Sequence, residues 1–161
     1  MNARVHIVSI GNRLVGDDAV GPIVHDALAK RTLPADVQLT LLGVGGIAML
    51  DELHRPEHLI VIDAVRWGTP AGTVHVTDDH SLRNVNGMPV TSHDIGIEDV
   101  LRVGEKLFPE KMPQKTTFIG VEGRDFDELG TALSASVAAS VPKVVEIVLS
   151  LIGAPRTTAS T

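Results

Sequence analysis

The sequence predicts an α/β fold: a three-layer α/β/α sandwich in which a mostly parallel, five-stranded twisted sheet carries helices on both faces. Three observations lead there. Short apolar runs of strand length alternate with segments whose apolar residues recur at helical spacing. Aromatic residues make up only 2% of the chain, so the core falls to Val, Ile, Leu and Ala, the residues of a sheet buried on both faces. The apolar runs close on glycines and acids, which gathers the polar residues on one rim of such a sheet.

The first run, residues 5–10, reads as a buried strand. After it, Gly11-Asn12-Arg13-Leu14-Val15-Gly16-Asp17-Asp18-Ala19-Val20-Gly21 forms a strand-to-helix turn, with glycines where side chains would clash. A helix follows over 19–31, apolar at Val20, Ile23, Val24, Ala27 and Leu28, and ends before Pro34. Residues 37–42 form the second strand, followed by Gly43-Val44-Gly45-Gly46 and a short helix over 47–54 that Pro56 stops. The third strand, His58-Leu59-Ile60-Val61-Ile62-Asp63, closes on an acid at its carboxyl end, and Arg66-Trp67-Gly68-Thr69-Pro70 is loop. Alternation over 72–77 predicts a half-exposed edge strand.

A polar loop over 78–89 leads to Val90-Thr91-Ser92-His93-Asp94 and a helix apolar at Ile97, Val100, Leu101, Gly104 and Leu107. Residues 115–121 are the fifth strand, 123–130 an acidic loop, and 133–152 a last helix that Pro142 is expected to kink or interrupt. Residues 1–155 are expected to form one domain and 156–161 a frayed tail.

Charge and composition narrow the function classes. With 14 basic and 20 acidic residues, the net charge of -6 offers no attraction to nucleic acid or anionic lipid. No apolar run approaches the roughly 18 residues of a membrane span, and the first residues lack a signal-peptide pattern, so a cytoplasmic protein is expected. The absence of cysteine removes disulfides, thiolate metal sites and thiol nucleophiles together.

Asp18, Asp63 and His93 come from three separate segments, each just after a strand or where a helix begins. Two carboxylates and an imidazole are a usual set for a borderline divalent ion such as zinc or nickel. Simpler roles stand beside this one: Asp17 or Asp18 capping the first helix, Asp63 ordering its loop, His93 as an ordinary residue at a helix start. Asp18 and Asp63 also suit an aspartic-type pair. His54 and His58 have metal-pair spacing but are separated by Pro56, and the remaining histidines read as structural or surface residues. Gly43-Val44-Gly45-Gly46-Ile47-Ala48 fits a dinucleotide fingerprint, with Asp63 twenty residues beyond, but its helix is short and no substrate domain remains. No G-x-S-x-G elbow is present, and Asp17-Asp18 stand where a phosphate loop needs Lys and Ser or Thr.

Three motifs carry a family resemblance. Gly11-Asn12-x-Leu14-x-x-Asp17-Asp18-Ala19-Val20-Gly21, His58 to Ala64, and Ser92-His93-Asp94-Ile95-Gly96-Ile97-x-Asp99-Val100-Leu101, with Gly120-Val121, resemble the nickel-iron hydrogenase maturation endopeptidases. The resemblance implies a protease that removes the C-terminal extension of a hydrogenase large-subunit precursor after nickel insertion. It puts that family's metal-contacting and catalytic positions on Asp18, Asp63 and His93. Asp18 stands where the family often has Glu. The glycine segment lacks the family's usual Thr; with Gly43, Gly45 and Gly46 it is implied to select the substrate. Trp67 is a further expected contact. Nickel is expected to arrive with the substrate, with zinc or cadmium as surrogates, and the protein to act as a monomer. A dinucleotide-binding module using residues 43–48 and a non-catalytic nickel-dependent chaperone are the alternatives.

Overall fold

The computed structural model describes residues 2–43, 45–78, 96–130 and 132–153. Its centre is one five-stranded sheet built from β1 (Val5–Ile10), β2 (Val37–Leu42), β3 (His58–Val65), β4 (Val74–Asp78) and β5 (Lys115–Glu122). The spatial order is β2-β1-β3-β5-β4, parallel at every junction except that of the edge strand β4, which runs antiparallel to β5. All six residues of β1 are buried, His6 and Ser9 included, as its place between two neighbours under helices on both faces requires.

Helices α1 (Val20–Ala29) and α4 (Ala135–Ile152) cover one face of the sheet, and α2 (Ala48–Glu52) and α3 (Ile97–Leu107) cover the other. The first core joins Ile7, Ile60, Ile62 and Ile119 to Val24, Leu28, Val144 and Val148. The second joins Val8, Leu59, Val61 and Phe118 to Leu50, Val100 and Leu101. The three-layer architecture expected from the alternation of runs is therefore present, and the aliphatic cores explain why so few aromatics suffice.

Several boundaries differ from the sequence reading. The chain leaves β1 through a 3-10 turn, Gly16–Ala19, so α1 is shorter than the expected helix over 19–31. The approach of α1 to β1 requires glycine at position 21, where a Cβ would lie 2.1 Å from the Ile10 carbonyl oxygen. Strand β3 continues past Asp63 through Ala64 and Val65, which pair with Val121 and Glu122 of an equally extended β5. Leu107 is 64% exposed rather than part of the core face of α3. Pro142 does not interrupt α4, which runs continuously from Ala135 to Ile152 and stops at Gly153 in the left-handed region, φ 72°.

By length and composition α4 would also suffice to cross a bilayer, contrary to the sequence reading. Here Val137, Val144, Val145, Val148 and Leu149 take its apolar side into the first core.

Candidate active site

The strand order makes the site. From β1 the chain steps outward to β2, then returns across β1 to β3, so the connections above β1 and β3 diverge and leave a crevice at the carboxyl ends of those strands. Asp18 lies in the turn after β1, and Asp63 is the third residue from the end of β3. The Gly16–Ala19 turn packs against β3, which brings the two acids to the same switch point. Asp63 shares the strand parity of Leu59, Val61 and Val65, so it faces the α2–α3 side. Across the ladder it pairs with Gly120, which has no side chain because Val65 and Phe118 close over that position.

Both carboxylates are buried, Asp18 at 8% exposure and Asp63 at 3%. Asp18 Oδ2 accepts the N–H of Asn12 at 2.9 Å, and Asp63 Oδ1 accepts the N–H of Ala64 at 2.8 Å. Burying a carboxylate costs several kcal/mol unless hydrogen bonds or counter-charges answer it. His93, the third residue of the expected set, lies in 79–95, outside the described residues. Among the described residues no three His, Asp or Glu side chains form a metal-sized group.

Asp17 does not cap the first helix: neither the 3-10 turn nor α1 has a side-chain cap. It is fully buried and accepts the N–H groups of Arg124, Asp125 and Ser134 and the hydroxyl of Ser134, at 2.7–3.0 Å. Burial acts to raise its carboxyl, but the hydrogen bonds from Asp125, Arg124 and Ser134 outweigh it and hold the group below the usual carboxylate range. Asp17 thus ties the first turn to the loop after β5 and to the start of α4.

A further acid on the rim went unread in the sequence. Glu122, the last residue of β5, is 4% exposed and receives the main-chain N–H groups of Trp67 and Gly68. The signal existed: like β3, the apolar run of β5 closes on an acid. Trp67 is half-buried, its ring 4.7 Å from that of His75 and 6.0 Å from that of Phe118. The glycine segment leaves β2 on the same rim, since the Gly11 N–H donates to the Leu42 carbonyl. Gly43 is exposed, Gly45 and Gly46 are half-buried, and Gly46 is left-handed at φ 78°.

Three other histidines have partners elsewhere in the sheet and its loops. His6 bonds Thr40, His58 at the start of β3 bonds Thr117, and His54 bonds the Glu52 carbonyl, so His54 and His58 form no helical pair.

The fold places the chain in a solved class, that of hydrogenase-maturating endopeptidases. It matches the hydrogenase maturating endopeptidase HybD of Escherichia coli with a TM-score of 0.79 and 27% identity, covering 93% of this chain and 92% of that one. The hydrogenase 2 maturation protease of Escherichia coli is 29% identical over 149 residues, 91% of this chain and 88% of that protein. The hydrogenase expression/formation protein HupD of Thiocapsa roseopersicina is 28% identical over 148 residues, and the chain spans 66% of its length. The sequence model of the hydrogenase maturation protease family matches residues 22–151. The chain belongs to that family.

Proposed function

We propose that this protein is an endopeptidase that removes the C-terminal extension of a nickel-iron hydrogenase large-subunit precursor once nickel has been inserted. The observation that carries the reading is the pair of buried carboxylates, Asp18 and Asp63, at the switch point of a sheet whose family is that of the hydrogenase maturation proteases. Nickel enters as part of the substrate. Asp18 and Asp63, with His93, offer oxygen and nitrogen donors suited to a borderline divalent ion, and zinc or cadmium serve as surrogates for it. Holding the metal places the adjoining peptide bond in the crevice. Water then adds to the scissile carbonyl as a carboxylate takes its proton, and that proton passes to the departing amine as the C–N bond breaks, leaving a new C-terminal carboxylate.

The test follows the mass of large-subunit precursors, loaded with nickel or not, when mixed with the protein. Loss of a short C-terminal peptide from the nickel-loaded form alone is the expected result. Asp63→Asn is expected to lower cleavage by a factor of at least about 100 with the fold intact. Full cleavage by that variant removes Asp63 from the mechanism, and tight binding without cleavage by the wild type turns the reading into that of a chaperone.

A further inference from the structure

We infer that Glu122 is a positioning residue for this reaction: it sets the segment Arg66-Trp67-Gly68, which continues from the Asp63 strand on the same rim of the sheet. The inference rests on the proposed endopeptidase reading.

The geometry is specific. Glu122 Oε1 accepts the N–H of Trp67 at 3.0 Å and that of Gly68 at 2.8 Å, while Oε2 accepts the N–H of Trp67 at 2.9 Å. Both oxygens accept main-chain N–H groups, and Oε2 also lies 3.9 Å from Nε2 of His75, whose ring packs on Trp67, so the acid has a structural grip on one short segment. The grip reaches from β5 to the residues just beyond β3, because Glu122 is the ladder partner of Val65. Arg66, three residues past Asp63, carries the constraint outward. Its guanidinium lies 4.1 Å over the Phe126 ring and 3.8 Å from Asp127, in the loop whose start Asp17 holds. Two buried acids thus clamp neighbouring segments of the rim, Asp17 the loop after β5 and Glu122 the segment after β3. A segment held by main-chain hydrogen bonds offers the substrate a fixed binding surface, so loosening it weakens ground-state and transition-state binding alike and raises KM more than it lowers kcat.

Trp67 is the only tryptophan in the chain, so its emission reports the grip directly. Glu122→Gln keeps the size of the side chain but turns an N–H donor toward the N–H groups of Trp67 and Gly68. A second variant, Gly68→Ala, perturbs the same segment from the other side. Gly68 is at φ 82° with nothing within 4 Å of an added Cβ, so alanine disfavours this conformation without a clash.

The experiment measures Trp67 emission and acrylamide quenching in the free variants, then kcat and KM separately on the nickel-loaded precursor. Red-shifted, more readily quenched emission with KM raised about tenfold or more and kcat changed less than about threefold is expected in both variants. Should Glu122→Gln fail to fold, Gly68→Ala carries the same test. Emission unchanged in a folded Glu122→Gln protein overturns the inference, as do wild-type kcat and KM in variants whose emission has shifted. Absence of cleavage by the wild type instead overturns the endopeptidase reading and, with it, a role for Glu122 in that reaction.

Discussion

Asp17 and Asp18 are adjacent in sequence, yet their surroundings set them to different work. Asp17 is enclosed by three main-chain N–H groups and a hydroxyl, and both of its oxygens are used. Its charge also sits at the amino end of α4, where the helix dipole favours an anion. Because its carboxyl titrates lower in the folded protein than in the unfolded chain, it contributes stability above the unfolded carboxylate range. That contribution is lost as the pH falls through the lower, folded value. Asp17→Asn is expected to lose about 2–4 kcal/mol of stability at neutral pH, since an amide turns a donor toward donors. Urea unfolding checks this. A midpoint equal to that of the wild type is incompatible with the clamp.

At the scale of the element, α4 shows packing overriding propensity. A proline inside a helix removes one hydrogen bond and costs about 3 kcal/mol. The helix nevertheless continues through Pro142, because Val137 before it and Val144, Val148 and Ile152 after it are all buried on one side against the sheet. Pro142 itself is exposed, so its ring contributes little to that interface. Pro142→Ala is therefore expected to stabilise the protein by about 1–3 kcal/mol. In a chain of this size that raises Tm by about 2–4 °C for each kcal/mol. Calorimetry decides it: a lower Tm means that the ring contributes packing to the helix.

For the whole molecule, acid stability is governed from inside the sheet. His6 lies in β1, is 2% exposed, and bonds Thr40 on β2. Burial first, and the charge of His54 second, push it down to about 4 from its ordinary 6.5. The unfolded chain therefore binds this proton before the folded protein does. Stability present above pH 6.5 falls as the pH drops toward 4, by roughly 3 kcal/mol over the window. Urea midpoints from pH 7.5 to 4.5 measure the fall, and His6→Gln, which does not titrate, is expected to flatten it. An equally steep profile in that variant assigns the acid sensitivity to other groups.

Much of this was legible in the order of residues alone. The bounds of β1 and β2 agree with the sequence reading: β1 is buried at every position between two neighbours, and β2, an edge strand of mostly half-buried residues, alternates Gln38 and Thr40 with apolar residues up to the glycine cluster. The sequence also singled out Asp18, one of two adjacent acids in a glycine-rich strand-to-helix turn, and Asp63, an acid closing an apolar run at a strand's carboxyl end. What it did not reveal are the choices between equivalent side chains. That Asp17 clamps a distant loop while Asp18 accepts the N–H of nearby Asn12 depends on Arg124 and Asp125, more than 100 residues away in the chain. That Glu122 holds the Trp67 segment depends on a contact spanning 55 residues. Burial patterns repeat every two or every 3.6 residues and so are written locally. The strand order β2-β1-β3-β5-β4, which creates the switch point and brings these loops together, is settled by tertiary packing, and only there do the acids on the rim acquire separate roles.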